Sequence, residues 1–418
     1  MADVIPFRGI LYNTSRVSME DVLAPPYDII TPEYREALYM QSPYNIVRID
    51  FGKEEPADNE AEHKYVRARR YLDAWIKEGV FIRSENPSFY LYEMSYTIQD
   101  VRKRLLGFLG LVKLEEFGKG SIYPHECTHS KPKQDRLNLM RSCKANTSPI
   151  FSLYKSSDGR IADILSKISS TKPYMESADI TGDFHRLWQI HDTEQIEIIR
   201  AELKDKADFI ADGHHRYETA LEFHRETALK NPSPGAPTSD PVLMFLANML
   251  DEGITILPTH RLLKIIPEDM NLLLSEHFTI EPVKNNFDIR ANLLGKKHAF
   301  GFYQQGSDVW HILKYKGGDL SEIHPALREV DVIILHELIL KKIFHTTDIG
   351  YEMDIGSALD KVNGGEFAAA FFLNPTCVDD VEKAALSSVR MPPKSTYFYP
   401  KLLTGLVINK WQIDSDRS

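Results

Sequence analysis

The chain has 418 residues and a formal net charge of −10, with 43% hydrophobic and 26% charged residues. That balance speaks against broad nucleic-acid binding, which needs a basic face to displace counterions from phosphates, and the length leads us to expect two or three domains. Cys127, Cys143 and Cys377 are too few and too scattered for a disulfide framework or a CxxC metal site. The N-terminus lacks the pattern of a signal peptide, and no apolar run approaches the ~20 residues of a membrane span. The expectation is a cytoplasmic protein with small-molecule partners and neither membrane nor nucleic acid among them.

Taken in order, residues 1–85 open with short apolar segments and the turn-rich APPYDIITPEY. Tyr65, Ala68, Leu72, Trp75 and Ile76 recur at helical spacing between Glu62 and Gly79 and predict an amphipathic helix. An aromatic strand over Phe89–Thr97 and an apolar one over Leu105–Leu114, with a polar turn between them, predict a hairpin. Residues 115–149 read as a long polar loop carrying His125, Glu126, His129, Lys131, Lys133 and Arg136. An αβ stretch and a helix bearing Ile196, Ile199 and Leu203 come next. The strand Asp208–Ala211 then runs into DGHHR and a helix over Tyr217–Leu229. The tract NPSPGAPTSDP at 231–241 is an expected exposed loop. Beyond 265 come strands over His298–Tyr303 and Val309–Tyr315, an apolar helix over Val330–Phe344 and a buried strand over Glu366–Leu373. The fold class is α+β, a mixed α/β chain.

Asp212-Gly213-His214-His215-Arg216 joins an apolar strand to a helix. Gly213 permits a tight turn and close approach to a ligand. The following amides sit at a helix N-terminus, which favours an anion, and Arg216 supplies a planar, bidentate phosphate donor. Asp212 is a candidate magnesium ligand or histidine-orienting group. Residues 125–129, HECTH, match the zinc-protease pattern HExxH, but Pro124 and Pro132 flank it and no apolar helical stripe surrounds it. The preferred reading makes Glu126 a general base in a loop, assisted by His125, with Lys131, Lys133 and Arg136 facing an anion. KSTYFYPK places Lys394, Ser395, Thr396 and Lys401 around a turn that suits a phosphate or carboxylate. PTHR adds His260 and Arg261 after a strand. His336, inside the apolar helix, reads as a core or helix-edge residue. No GxxxxGK loop occurs.

The segments PPYDII, PYNIVRID, PHECTHSKPKQDRL, FIADGHHRYETAL, ILPTHRLL and MPPKSTYFYPKLLTGL together resemble a bacterial and archaeal family long known only as a domain of unknown function. The DGHHR turn resembles the phosphate-binding motif of the ParB and sulfiredoxin superfamily, which includes free serine kinases. In those kinases a Pro-His-Glu segment supplies a catalytic glutamate, and Pro124-His125-Glu126 is similar to it. The resemblance implies a ParB/sulfiredoxin-like catalytic core over 89–264 containing an insertion. An N-terminal α/β region (1–88) and a C-terminal α/β domain (265–418) contributing the KSTYFYPK loop would flank it. It also implies transfer of a phosphoryl group from pyrophosphate, ADP or ATP to free L-serine, with Mg2+. Glu126, His125 and Asp212 would then be catalytic. Gly213, His214, His215, Arg216, Lys131, Lys133 and Arg136 would hold the donor, and Lys394, Ser395, Thr396, Lys401, His260 and Arg261 the acceptor. The alternatives are a metal-dependent hydrolase using the HECTH and DGHHR histidines, and a ParB-like nucleotide-binding regulatory protein.

Overall fold

The computed structural model describes residues 3–128, 130–230, 241–284 and 288–411. His129 and the expected loop over 231–240 lie outside the described residues. The chain is a mixed α/β protein. Its contacts gather it into two compact units, one of 1–124, 128–254 and 400–418, the other of 125–127 and 255–399. The three-part division expected from the sequence places its cuts elsewhere, near 88 and 264. Among the described residues no helix is long and apolar enough to cross a membrane.

The first unit is built on a nine-stranded sheet. Its central pair is the expected hairpin, Phe89–Ile98 against Val101–Lys113, in register from Tyr90↔Leu109 to Ile98↔Val101. The two turn residues, Gln99 and Asp100, have φ of 49° and 61°. Positive φ at both positions is the two-residue turn whose twist matches a right-twisted hairpin. Pro241–Asn248 pairs antiparallel with Val101–Lys113 and parallel with Ile150–Tyr154. Asp208–Asp212 follows, antiparallel to Ile150–Tyr154 and parallel to the edge strand Ile122–Tyr123. The strand Asp208–Asp212 thus lies one place in from an edge. The predicted amphipathic helix spans Lys64–Lys77 and buries Ala68, Leu72 and Trp75.

Residues 130–143, expected as loop, form a helix, Ser130–Cys143. Pro132 sits in its first turn, where a missing N–H removes no intrahelical bond. Arg136, Leu137, Met140 and Cys143 supply its buried face. An arginine at the head of that face hides the apolar periodicity from a sequence reading.

The second unit carries a six-stranded antiparallel sheet in the order Phe278–Lys284, Val309–Tyr315, Ala299–Gln304, Ala369–Phe372, His260–Leu263, Ile349–Glu352. Alternation along each strand feeds two cores. Leu263, Phe300, Leu313, Ala369 and Phe371 belong to one, and Leu262, Ala299, Ile312, Ala370 and Phe372 to the other. The short run over 369–372 is therefore apolar throughout because both its faces are covered. The apolar helix expected over 330–344 starts as one α-turn, Asp331–Ile333, and then widens to π-helical winding over Ile334–Ile343.

Asp208, at the base of the strand that leads to DGHHR, is 2% exposed. It accepts a hydrogen bond from Ser152 Oγ. Burial raises its carboxyl pKa from 3.8 to about 7, against the opposing pull of the Ser152 hydrogen bond. A folded pKa above the unfolded one means stability that is complete below about pH 4 and lost as pH rises toward 7. Asp208→Asn should match the wild type in urea unfolding near pH 4. By pH 8 it should be more stable by about 1–4 kcal/mol; equal stabilities at pH 8 would contradict the assignment.

Candidate functional site

In the first unit, the strand Asp208–Asp212 shifts register between Ile210 and Asp212, Gly213 turns with φ of 93°, and the helix His214–Lys230 begins at once. A Cβ on Gly213 would stand 2.9 Å from Arg216 Nε, because the Arg216 side chain folds back across the turn. Its Nη2 donates to Asp212 Oδ2 at 2.7 Å, and its Nη1 donates to the Pro149 carbonyl. Lys401 Nζ donates to Asp212 Oδ1 at 2.8 Å. One carboxylate is thus shared by two cations at the start of a helix, the end of a helix that favours an anion. His214 is buried and His215 half-buried on the first turn of the same helix.

A second layer holds this arrangement. Arg136 is 6% exposed. It donates to Asp50 Oδ2 at 3.0 Å, to the Asp50 carbonyl at 2.7 Å and to Asp135 Oδ2 at 2.6 Å, with its guanidinium 4.1 Å from the Tyr27 ring centroid. Burial opposes that charge, but Asp50 and Asp135 outweigh it and hold the arginine firmly protonated. Burial pushes the Tyr27 phenol up to about 12. Asp50 Oδ1 accepts from Thr147 Oγ1 at 2.6 Å, which fixes the 145–149 segment whose Pro149 carbonyl binds Arg216. A cavity of about 30 Å³ lies here, lined by Asp50, Arg136, Asn146, Thr147, Ser148 and Arg216 among others, with room for about two waters.

Several expectations change. Arg136 does not face an open anion site; its charge is matched internally by Asp50 and Asp135. Lys133 pairs with Glu218 at 2.9 Å. Lys131 lies in the helix Ser130–Cys143, but its side chain is outside the described residues. Asp50, Thr147 and Tyr27 were missed as builders of this site. The only sequence trace of them was a set of short motifs, PYNIVRID, NTSP and PPYD, too far apart along the chain to suggest a common place.

The second unit gathers a different constellation. Glu126 forms an isolated parallel bridge with Met391, flanked by Met391 N–H to the His125 carbonyl and Cys127 N–H to the Met391 carbonyl. Glu126 Oε1 accepts from the Lys394 N–H at 2.8 Å. His125 is fully buried and its Nε2 lies 2.9 Å from Thr396 Oγ1. Arg261 donates to the Lys394 carbonyl at 2.9 Å. His125 and Glu126 and the PTHR and KST segments therefore meet in one unit, while Lys401, six residues beyond Ser395, belongs to the other. Ser395 Oγ donates to the Pro392 carbonyl, a bond that shapes the turn.

Strand alternation separates His260 from Arg261. His260 packs on Phe372 at 5.0 Å, in the core that Leu262 shares. Arg261 points the other way, to His336 Nε2 at 3.1 Å. The pair read together from the sequence cannot serve one pocket. Burial pushes the His260 imidazole down to about 4 and that of His336 to about 3, so both are neutral at physiological pH. The described part of the HExxH match, His125 to Thr128, lies in no helix, whereas the zinc-binding pattern needs one; His129 lies outside the described residues. Among the described residues no group of three or more His, Cys, Asp or Glu is placed to hold a metal ion.

A family model described as a protein of unknown function, DUF1015, matches residues 4–333. The chain belongs to that family. No curated protein matches it. Solved structures that it resembles include a conserved hypothetical protein from Pyrococcus furiosus, 12% identical, covering 66% of this chain and 87% of that one at a TM-score of 0.32. A free serine kinase in complex with AMP is 12% identical over 68% of this chain and 89% of that one, TM-score 0.35. SbnI from Staphylococcus aureus, with a C-terminal truncation, is 13% identical over 71% and 85%, TM-score 0.37. Overlaps of that size carry no argument about what this DUF1015 member does.

Gly213→Ala should destabilise the protein by about 1–3 kcal/mol, since φ of 93° disfavours any L side chain and the new Cβ displaces a pinned guanidinium. Thermal unfolding beside the wild type reads this directly; an unchanged midpoint would show that the turn does not need glycine.

Proposed function

We propose that the chain is a phosphotransferase that phosphorylates free L-serine, with pyrophosphate as the preferred donor and ADP or ATP as the alternatives. The observation that carries the reading is the shared carboxylate of Asp212, with Arg216 and Lys401 on its two oxygens at the Gly213 turn. A pair of cations held by one anion at the start of a helix suits a polyphosphate better than any neutral ligand. The likeness of PHE and DGHHR to the motifs of free serine kinases supports the same reading.

In the reaction, the serine hydroxyl oxygen bonds to the terminal phosphorus and the bridging P–O bond breaks. The products are O-phospho-L-serine and, from pyrophosphate, inorganic phosphate. The hydroxyl proton passes to a carboxylate, for which we assign Glu126. The Lys394 N–H fixes one oxygen of that carboxylate. His125 acts as a positioning residue through Thr396. Phosphoryl transfer otherwise depends on placement and charge neutralisation, which Arg216, Lys401 and the amides after Gly213 supply. Magnesium commonly accompanies such donors, but Asp212 does not fit as its ligand. Both its oxygens already accept from cations, and a dication there would face two like charges at close range.

Phosphorus NMR of the protein with magnesium, L-serine and each donor in turn should show phosphoserine, most rapidly with pyrophosphate. No phosphoserine with any donor would end this reading. Glu126→Gln should lower turnover by about 10²–10⁴-fold, with pyrophosphate affinity retained. Near-normal turnover in that variant would assign the base elsewhere.

A further inference from the structure

Arg261 is 0% exposed, yet every partner of its guanidinium is neutral. Nε donates to His336 Nε2 at 3.1 Å, Nη1 to the Thr259 carbonyl, and Nη2 to the Lys394 carbonyl at 2.9 Å. Among the described residues no carboxylate forms an ion pair with it. Its ring neighbour is Tyr351, 5.2 Å from guanidinium carbon to ring centroid. Burial drives its pKa down to about 10, only partly offset by Tyr351 and Glu126. A buried cation left without a counter-ion is costly. Another buried arginine, Arg136, shows the usual remedy in its two carboxylates.

The surroundings of Arg261 show what is missing. Three of its five N–H donors are used, and two have no acceptor among the described residues. Thr259, whose carbonyl already binds the guanidinium, is 3% exposed, and its Oγ1 is a buried atom without a hydrogen-bond partner. His336 presents a neutral Nε2 to Arg261 from a π-helical segment, an uncommon winding that recurs at functional sites. Two N–H groups of a planar fork are left over, and an unpartnered hydroxyl belongs to the residue whose carbonyl the same fork already binds; a carboxylate offers two oxygens for such donors. Arg261 also holds the carbonyl of Lys394, whose N–H holds Glu126.

We propose that Arg261 and Thr259 form the binding site for the carboxylate of the acceptor, so that the chain selects hydroxy-bearing carboxylic acids over neutral alcohols. The proposal rests on the phosphotransferase reading for the hydroxyl and for the name of the acid. The site itself lies wholly within the second unit.

Calorimetric titration of the full chain with L-serine, L-serinamide and pyrophosphate tests it. Wild type should bind serine about 10–100-fold more tightly than serinamide, the worth of a charge-assisted hydrogen-bonded pair. Arg261→Met should bring serine down to the serinamide level and leave pyrophosphate affinity within about 2-fold. Thr259→Val, which preserves shape, should weaken serine by about 3–10-fold and stands in if Arg261→Met does not fold. Equal binding of serine and serinamide by wild type, or no serine binding at all, overturns the proposal. So does an Arg261→Met or Thr259→Val variant that loses pyrophosphate affinity but keeps that for serine, which would make the anion a phosphate. Turnover separates the two readings. Serine bound through Arg261 but never phosphorylated defeats the kinase and leaves the carboxylate site standing; serinamide phosphorylated as readily as serine does the reverse.

Discussion

A charge held away from water needs compensation, and the buried arginines of this protein differ in how they receive it. Arg136 is matched by Asp50 and Asp135; removing one partner of such a buried pair typically costs about 3–5 kcal/mol. Arg216 is matched by Asp212, which Lys401 shares. Arg261 is matched only by carbonyls and a neutral imidazole. The internally satisfied arginine serves as scaffold, fixing the segment around Thr147 through Asp50. At Asp212 one carboxylate answers two cations, whereas Arg261 meets only neutral acceptors.

The two constellations differ in how they are built. The first depends on a backbone event, the positive φ of Gly213, which lets Arg216 fold across the turn and places two helix-start histidines beside it. The second depends on a side chain reaching out of a strand: Arg261, on the face opposite His260, ties together the segments carrying Glu126 and Lys394. Backbone amides and fixed cations suit a ligand with many equivalent oxygens. A single planar fork suits one with a defined orientation.

Much of the local structure was legible in the sequence because it rests on neighbours in the chain. The strand–glycine–helix order at 208–230, the helix with Leu72 and Trp75 inside, and the hairpin around Gln99 and Asp100 each follow from period and turn chemistry. The long polar stretch was misjudged at Ser130–Cys143, where the buried face is led by an arginine whose partner, Asp50, lies 86 residues away. The pairing of His260 with Arg261 failed for a simpler reason: adjacent residues on a strand look in opposite directions. Nor could spacing show that KSTYFYPK divides, with Thr396 bonded to His125 and Lys401 to Asp212.

That last division has a consequence for how the chain can be cut. It passes from one unit to the other at Pro124/His125, Cys127/Thr128, Ile254/Thr255 and Tyr399/Pro400, so no single scission yields either unit whole. A fragment ending at 254 would lack Lys401, leaving Asp212 with one cation, and would lack Asn409–Lys410, the partner strand of Ala145–Asn146. Shortening the chain from its far end would therefore damage the glycine turn near its middle before it touched any neighbouring sequence.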